Sequence, residues 1–384
     1  MHRKPGTLHL RTAAKSTRQH YFSSRRVLVF LPPLTDTRRF MHACPNKHIL
    51  VYVHHHGTGH LKRMCTLIPA IERIAKVSFL AGTDAMASAL NTHFPNSRVF
   101  ILPSKWPSNS PSVKRTFDRA FEGIGFYKEA AARSQYFCTL LVNQNIDLFI
   151  SDVSAELTIL ARQCGVKVVM QRHSGYTGQD PTQVFAYECA ESLYAPYPQS
   201  LELKDYGHLS KTHYLGFFGQ TARVDVTQPR VITVLVGDTK LRCAISEHLA
   251  QNGFTVNVVG EWPEDVPFSD NIHILGSTDN VGSAIVGNIV ICSAGNNLIS
   301  ELVYLNKKLI LIPEPRPYSE QEAKAIMIQQ AGAGRYCLPE QAGNNSKHLI
   351  ELVEDAINAP PPALQPLHNP SAAAEFKQLI TETL

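Results

Sequence analysis

The stretch HHHGTGHLKR, residues 54–63, combines residue types that can bind an anion or move a proton. Gly57 and Gly59 allow close approach of the backbone to a ligand, and unpaired N–H groups at a helix start attract an anion. The imidazole of His60 could act as a general base, or it could cap the turn through hydrogen bonds. A metal site at His54–His56 is disfavoured, because adjacent residues of an extended segment point to opposite sides. The Gly-x-Gly spacing also lacks the third glycine of a dinucleotide site.

The stretch ICSAGNNLISE, residues 291–301, offers a second set of ligand-binding groups. It has the pattern of a buried strand that turns into a helix, with Asn296 or Asn297 as the N-cap. Backbone N–H groups at such a turn can hold a diphosphate. Glu301 could accept both hydroxyls of a ribose, or it could be a surface glutamate favoured by the helix dipole. Gln321, near the start of the next helical pattern, could bond sugar hydroxyls or simply belong to a polar helix start.

The elements that carry these stretches alternate between apolar strands and amphipathic helices. The pattern begins with HILVYV (48–53) and restarts near residue 230. Continuous apolar strands between helices predict parallel sheets covered on both faces. We therefore predict an α/β chain of two doubly wound, Rossmann-like domains, over 46–222 and 223–365, with the ligand in the cleft between them. Residues 204–223 are interpreted as a loop, and 366–384 as a final helix that can pack back on the first domain.

Charge and composition exclude several classes of function. Nine Lys and Arg against one acid give residues 1–40 a charge of +8, so the other 344 residues carry about −3 and offer little to a nucleic acid. No apolar run reaches the roughly 18 residues of a membrane span. The eight cysteines form no C-x-x-C pair and indicate a reducing compartment.

The basic extension, residues 1–45, has three interpretations. It could be a transit-like peptide, a membrane-surface patch, or a segment ahead of a start at Met41. We favour the last. The expected location of the chain is the cytoplasm, with peripheral contact at the inner face of the plasma membrane as a further option.

Taken together, these stretches resemble glycosyltransferase family 28, whose members have the GT-B fold and use a UDP-sugar donor. GTGHLKR is similar to the family's glycine-rich turn ending in Gly-His, and ISDVSAELTILARQCGVKVV to its strand–Asp–helix–strand unit. The run from ICSAGNNLISELVYLN to QQAGAG is similar to the carboxyl-terminal core of the family. The matching segments span about residues 48–337, and they imply a GT-B fold with two Rossmann-like domains facing across a cleft.

The resemblance also implies a role for individual residues on each side of that cleft. The implied donor-side residues are Leu275 and Gly276 near the uracil, Arg223, Gly237, Ser293, Gly295, Asn296 and Asn297 near the diphosphate, Glu301 at the ribose, and Glu320 and Gln321 at the donor sugar. The implied acceptor-side residues are Gly57, Thr58, Gly59 and His173, with His60 as the candidate base and Asp152 as a second candidate base or acceptor contact. One departure is that the family's second glycine-rich loop is reduced here to Gly237–Asp238–Thr239, which brings an acid close to the diphosphate.

The reaction implied is inverting transfer of a hexosyl group, N-acetylhexosamine or hexose, from a UDP-sugar. The acceptor would be a hydroxyl of a sugar, a lipid-linked compound or a small molecule, in cell-envelope or glycan synthesis. The chain contains no D-x-D pair, so we expect no metal and no cofactor, with helix N-termini and Arg223 stabilising the departing UDP. A nucleotide-sugar hydrolase or epimerase of the same fold, which shares the Gly-His-x-x-Arg spacing of His60 and Arg63, and a non-catalytic nucleotide-sugar binder are the alternatives.

Overall fold

A computed structural model describes residues 47–55, 59–107, 127–219, 228–278, 280–344, 346–360, 362 and 364–384. Residues 44–384 form one compact unit. The basic extension lies outside the described residues, as do Gly57, Thr58 and Arg223 of the predicted site.

The first sheet is formed by seven parallel strands in the order 3-2-1-4-5-6-7. The inner strand His48–Val53 is apolar apart from His48, and every residue of it is buried, as expected for a strand covered by helices on both faces. The strands are β1 (His48–Val53), β2 (Lys76–Ala81), β3 (Arg98–Ile101), β4 (Leu148–Ser151), β5 (Lys167–Gln171), β6 (Ser192–Ala195) and β7 (Thr212–Tyr214). The helices of this half are α1 (Gly59–Ile71), α2 (Asp84–His93), α3 (Lys128–Asn143), α4 (Ala155–Gln163) and α5 (Pro181–Cys189).

The second sheet is formed by six parallel strands in the order 10-9-8-11-12-13. Its strands are β8 (Gln228–Leu235), β9 (Thr255–Val258), β10 (Ile272–Ile274), β11 (Gly287–Cys292), β12 (Lys308–Leu311) and β13 (Arg335–Tyr336). The helices that follow in the chain are α6 (Thr239–Gln251), α7 (Val281–Ala284), α8 (Asn296–Tyr304), α9 (Glu320–Gln330), α10 (Pro339–Asn344), α11 (Ser346–Asn358) and α12 (Ala372–Thr383). Short 3-10 turns occur at Thr177–Gln179, Gln199–Leu201, Leu209–Lys211, Pro317–Ser319 and Gln365–Leu367.

The predicted α/β architecture of two doubly wound parallel sheets is confirmed. One local prediction is wrong: the segment 204–223, interpreted as a loop, contains the edge strand β7. This strand is only three residues long and includes Thr212 and His213, so it shows no continuous apolar run. Hydrophobic patterning therefore does not predict β7.

The last helix, α12, packs against α1 and the first sheet. The Phe376 ring lies 5.1 Å from the Tyr194 ring, and Leu379 and Ile380 are buried in the same cluster. The Lys167 ammonium also donates a 2.6 Å hydrogen bond to the carbonyl of Thr383. The carboxyl end of the chain therefore covers part of the first core. No helix in the described part of the chain is long and apolar enough to cross a membrane.

We expect Phe376→Ala to lower the free energy of unfolding by about 3–5 kcal/mol, because it removes a fully buried aromatic side chain and leaves a cavity. Chemical denaturation of the full chain measures the change. The matched control is Gln378→Ala on the exposed side of the same helix, which should change the free energy by less than about 0.5 kcal/mol. Equal effects of the two substitutions would contradict the packing described for α12.

Candidate functional site

The segment after β1 and the residue after β4 meet at one edge of the first sheet, because the two strands are parallel neighbours. Asp152 follows β4 and is completely buried, and its Oδ2 lies 2.7 Å from Nδ1 of His60 in the first turn of α1. The backbone N–H of His54 donates to the same carboxylate oxygen over 3.1 Å. The structure thus brings together two candidate catalytic residues that lie 92 positions apart in the sequence.

The proton on this pair can be located from its charges. Burial would raise the pKa of Asp152, but the charge and hydrogen bond of His60 and the charge of Arg63 outweigh it and hold the pKa well below the usual range. Asp152 is therefore an ionised acceptor, so the 2.7 Å contact requires a hydrogen on Nδ1 of His60. Since Arg63 has only donors, its 2.9 Å approach to the same nitrogen is then a close contact and not a hydrogen bond. In a neutral imidazole this leaves Nε2 as the basic nitrogen.

A strained turn holds Asp152 in place. Val153, the next residue, has φ of 62°, a left-handed conformation that is unusual for a β-branched side chain. Ser154 then caps α4 by accepting the N–H of Leu157. The chain therefore leaves β4 sharply, and the carboxylate of Asp152 is directed to His60.

Arg63 is a further residue of the site, beyond those predicted from the sequence. Its guanidinium lies one helical turn after His60, with Nη2 at 2.9 Å from Nδ1 of His60 and 3.7 Å from Oδ1 of Asp152. Nη1 donates to Oδ1 of Asn297 on α8 over 2.8 Å, and Nε donates to Gln171 over 3.1 Å. The i, i+3 spacing of His60 and Arg63 on a helix was the available signal that they share a face.

The amino end of α8 is the predicted diphosphate site. Gly295 is its N-cap, so the prediction of Asn296 or Asn297 as the cap is wrong by one or two residues. The amide of Asn296 donates to the carbonyl of Pro196 in the first-sheet half over 2.8 Å. Ser293 continues the ladder of β11 by donating its N–H to the carbonyl of Leu235.

The amino ends of α1 and α8 face each other across the two halves of the chain. Gly59 begins α1, and a β-carbon there would overlap the side-chain amide of Asn297. A larger residue at position 59 would therefore have to displace the Asn297 side chain. The N–H groups of two helix ends, together with Arg63, give this region a positive potential suited to an anion.

Glu301 and Gln321 lie near this point. Lys62 of α1 donates to Oε1 of Glu301 over 3.5 Å, and burial raises the pKa of Glu301 against the opposing charge of Lys62. Gln321 is buried, and its Oε1 accepts the N–H groups of Ala294 and Glu314 over 3.1 and 2.9 Å. The Gln321 carbonyl is thus occupied, while Nε2 lies beside Gly295 at 3.9 Å from where a β-carbon of that glycine would be.

The reduced glycine loop after β8 is already bonded within the chain. The N–H of Gly237 donates to Oε1 of Glu314 over 2.7 Å, so it is not free for a phosphate in this structure. Asp238 caps α6 by accepting the N–H of Leu241, which accounts for the acid at this position. The sequence indicates no role for Glu314, because this residue follows β12 rather than β8 and belongs to no recognisable motif.

The remaining predicted residues lie at the margins of the site. Leu275 is 44% exposed and Gly276 has φ of 68°, in the loop after β10. His173 packs against Tyr318 of the second-sheet half, with 5.2 Å between the rings. Burial lowers the pKa of His173 to about 4, with the charge of Glu320 opposing and that of Arg172 adding to the shift. His173 is therefore neutral at pH 7.

Further contacts join the two halves around Tyr318. Its hydroxyl donates to Oδ2 of Asp180 over 2.7 Å, and its carbonyl accepts the N–H of Tyr176 over 2.8 Å. Tyr318 and Ser319 both have positive φ, so the segment that enters α9 is strained where it touches the first half. Among the residues that the structure describes, no group of three His, Cys, Asp or Glu side chains could hold a metal ion.

This arrangement can perform acid–base chemistry next to an anion. The buried carboxylate of Asp152 orients the imidazole of His60, and the amino end of α8 from the other half lies beside this pair. The same half contributes the carboxylate of Glu301 and the amide of Gln321. Such a set of groups suits a reaction in which a hydroxyl loses a proton while a phosphate-bearing group departs.

Comparison with known proteins agrees with this geometry. Residues 251–384 match the glycosyltransferase family 28 C-terminal domain. No curated protein matches the chain.

Three similar solved structures are MurG from Acinetobacter baumannii, a kitacinnamycin glycosyltransferase, and spinosyn rhamnosyltransferase SpnG with thymidine diphosphate. Their identities to the chain are 16%, 15% and 15%, and their TM-scores are 0.63, 0.65 and 0.59. Each match covers 88% of this chain, and 99%, 99% and 96% of the respective structures. At such identities the similarity establishes the GT-B fold. Residues 251–384 are thus similar to a glycosyltransferase family 28 C-terminal domain, in a chain that has the GT-B fold.

Proposed function

We propose that the chain is an inverting glycosyltransferase that moves a hexosyl group from a UDP-sugar to a hydroxyl of an acceptor. The observation that carries the proposal is the meeting of the His60–Asp152 pair with the amino end of α8, through Arg63 and Asn297. This contact supports a base for the acceptor on one side and an anion site for the donor on the other.

The reaction would be a single displacement at the anomeric carbon. Nε2 of His60 takes the proton of the acceptor hydroxyl, and the acceptor oxygen bonds to the anomeric carbon as the bond to the β-phosphate oxygen breaks. Asp152 holds the ring in the correct tautomer and stabilises the imidazolium that forms. One displacement inverts the configuration at the anomeric carbon.

Departure of UDP requires stabilisation of the new negative charge. The N–H groups at the amino end of α8 would supply it, with Ser293, Gly295, Asn296 and Asn297 bordering the diphosphate. Arg223 is proposed to add a positive charge, although it lies outside the described residues. The absence of a D-x-D pair from the sequence supports a route without a metal ion or cofactor.

The rest of the donor would extend from this point. Glu301 would accept the ribose hydroxyls, Leu275 and Gly276 would border the uracil, and Gln321 would offer Nε2 to the donor sugar. The solved complexes of spinosyn rhamnosyltransferase with thymidine diphosphate and with spinosyn aglycone support a nucleotide donor and a separate acceptor.

A hydrolase of the same fold is the second candidate. The Gly-His-x-x-Arg spacing favours it, since His60 and Arg63 are in direct contact. Water would then replace the acceptor hydroxyl. A sugar, a lipid-linked compound and a small molecule remain the proposed acceptor classes, in the cytoplasm and with peripheral membrane contact for a lipid-linked one.

We expect Glu301→Ala to weaken UDP binding about 10- to 100-fold, because a ribose would lose hydrogen bonds to a charged acceptor. Isothermal titration calorimetry with UDP measures this. The control is Glu351→Ala on α11, a carboxylate that is 60% exposed and far along the chain from the predicted site. Unchanged affinity in Glu301→Ala would rule out the ribose assignment.

We expect His60→Ala and Asp152→Asn each to lower kcat by about 10²- to 10⁴-fold, since each removes the oriented base. Affinity for UDP should stay within about twofold, because both residues lie on the acceptor side. Steady-state kinetics and UDP calorimetry on the same preparations separate the two effects, and thermal unfolding checks that Asp152→Asn is folded. Full activity of His60→Ala would contradict the assignment of the base.

A further inference from the structure

The segment that enters α9 is strained where it meets the first-sheet half. Tyr318 has φ of 60° and ψ of 19°, and Ser319 has φ of 46° and ψ of 36°. Both are left-handed conformations, which are unfavourable for residues that carry a β-carbon. Two such residues in succession persist only where surrounding contacts hold them. The contacts made by this segment therefore indicate what the strain secures.

Those contacts come from the loop between β5 and α5. The Tyr318 hydroxyl donates to Oδ2 of Asp180 over 2.7 Å, and the Tyr318 carbonyl accepts the N–H of Tyr176 over 2.8 Å. The ring of His173 lies 5.2 Å from the Tyr318 ring. One loop of the first-sheet half thus holds Tyr318 at its hydroxyl, its ring and its backbone carbonyl.

Gly175 allows the two backbones to meet. It has φ of 89°, and a β-carbon at this position would overlap the carbonyl oxygen of Tyr318 and the backbone of Glu320. Because these are backbone atoms, no rotation of a side chain could make room for a larger residue. The loop and the strained segment therefore pack backbone to backbone directly at the start of α9.

Asp180 uses its two carboxylate oxygens for different partners. The residue is 2% exposed, and its Oδ1 accepts the N–H groups of Thr182 and Gln183 over 2.9 and 3.1 Å, which caps α5. Its Oδ2 accepts the Tyr318 hydroxyl from the other half. Since the cap needs only one oxygen, the formation of α5 does not explain the bond to Tyr318.

The strained segment leads directly to the residues proposed at the donor sugar. Glu320 begins α9 two residues after Tyr318, and Gln321 follows it. Gln321 is 3% exposed, and its Oε1 accepts the N–H of Ala294, in the turn before α8, over 3.1 Å. The path of the chain at Tyr318 therefore determines where these two side chains lie.

We propose that Tyr318 and Asp180 are positioning residues for the donor sugar. Their hydrogen bond holds the start of α9 against the first-sheet half, and with it Glu320 and Gln321. They would act through these two residues rather than touch the reacting atoms. The inference rests on the proposed function, and it adds a contribution of the acceptor side of the cleft to the binding of the donor.

The nucleotide should bind without this contact. The turn before α8 has bonds of its own, because the N–H of Ser293 donates to the carbonyl of Leu235 over 3.2 Å and the amide of Asn296 donates to the carbonyl of Pro196 over 2.8 Å. Neither bond involves α9. Loss of the bond between Tyr318 and Asp180 is thus expected to weaken the binding of the sugar and not that of UDP.

The test measures the affinities of the full chain for UDP, UDP-glucose and UDP-N-acetylglucosamine by calorimetry. Tyr318→Phe removes only the hydroxyl, and Asp180→Ser keeps a capping oxygen for α5 but is too short to reach Tyr318. Each should weaken the binding of the preferred UDP-sugar about tenfold and leave the affinity for UDP within about twofold. Because both remove the same bond, the double variant should lose no more than either single variant.

Tyr336→Phe is the matched control. The Tyr336 hydroxyl also approaches a carboxylate of α9, that of Glu322, at 3.5 Å, but at an exposed position. This variant should keep the affinities for UDP and for the UDP-sugar.

The other results overturn the inference. Equal losses for UDP and the UDP-sugar would show that the contact supports the whole nucleotide site, and a lower thermal midpoint with unchanged affinities would make the contact structural only. Additive losses in the double variant would show that the two residues act separately. Binding of UDP but of neither UDP-sugar by the unsubstituted chain would overturn this inference alone, whereas failure to bind UDP would overturn the proposed function and the inference with it.

Discussion

A fully buried carboxylate, that of Asp152, sets the constraint on which the candidate site depends. An isolated carboxylate would cost several kcal/mol in this position, so positive groups must surround it. His60 and Arg63 supply them from one face of α1, and the backbone of His54 adds an N–H. The order of the strands and the strained Val153 turn bring Asp152 to these groups.

The same cluster connects the two halves of the chain. Arg63 contacts Asn297, and its neighbour Lys62 contacts Glu301, so residues proposed to bind the donor already touch the helix that carries the base. Tyr318 and Asp180 form a second contact between the halves. A donor that replaces the Lys62 contact with its ribose would therefore act directly on α1, which is a physical route from donor binding to the position of His60.

The sequence predicted those features that local patterns encode. Buried strands such as β1 and β11 contain the apolar runs ILVYV and IVIC, and glycines lie near the helix starts after them, so both sheets and both turns could be predicted. The pairing of His60 with Asp152 could not be predicted, because it depends on β1 and β4 being neighbours in the sheet. The sequence also could not predict the hydrogen bond from Gly237 to Glu314 or the lack of a hydrogen-bond partner for Nζ of Lys324 among the described residues. Each arises from packing between elements distant in the chain. Gly295 rather than an asparagine caps α8, because both asparagine side chains bond to the other half.

The central claim is that His60 activates an acceptor hydroxyl rather than water. The most direct test is the rate of UDP release from a UDP-sugar hydrolysed or transferred by the full chain, measured with and without a panel of acceptor alcohols. We predict that UDP release depends on the acceptor, and that the sugar appears on that acceptor with inverted anomeric configuration by NMR. Release of UDP at the same rate without any acceptor, with free sugar as the product, would contradict it and identify a hydrolase.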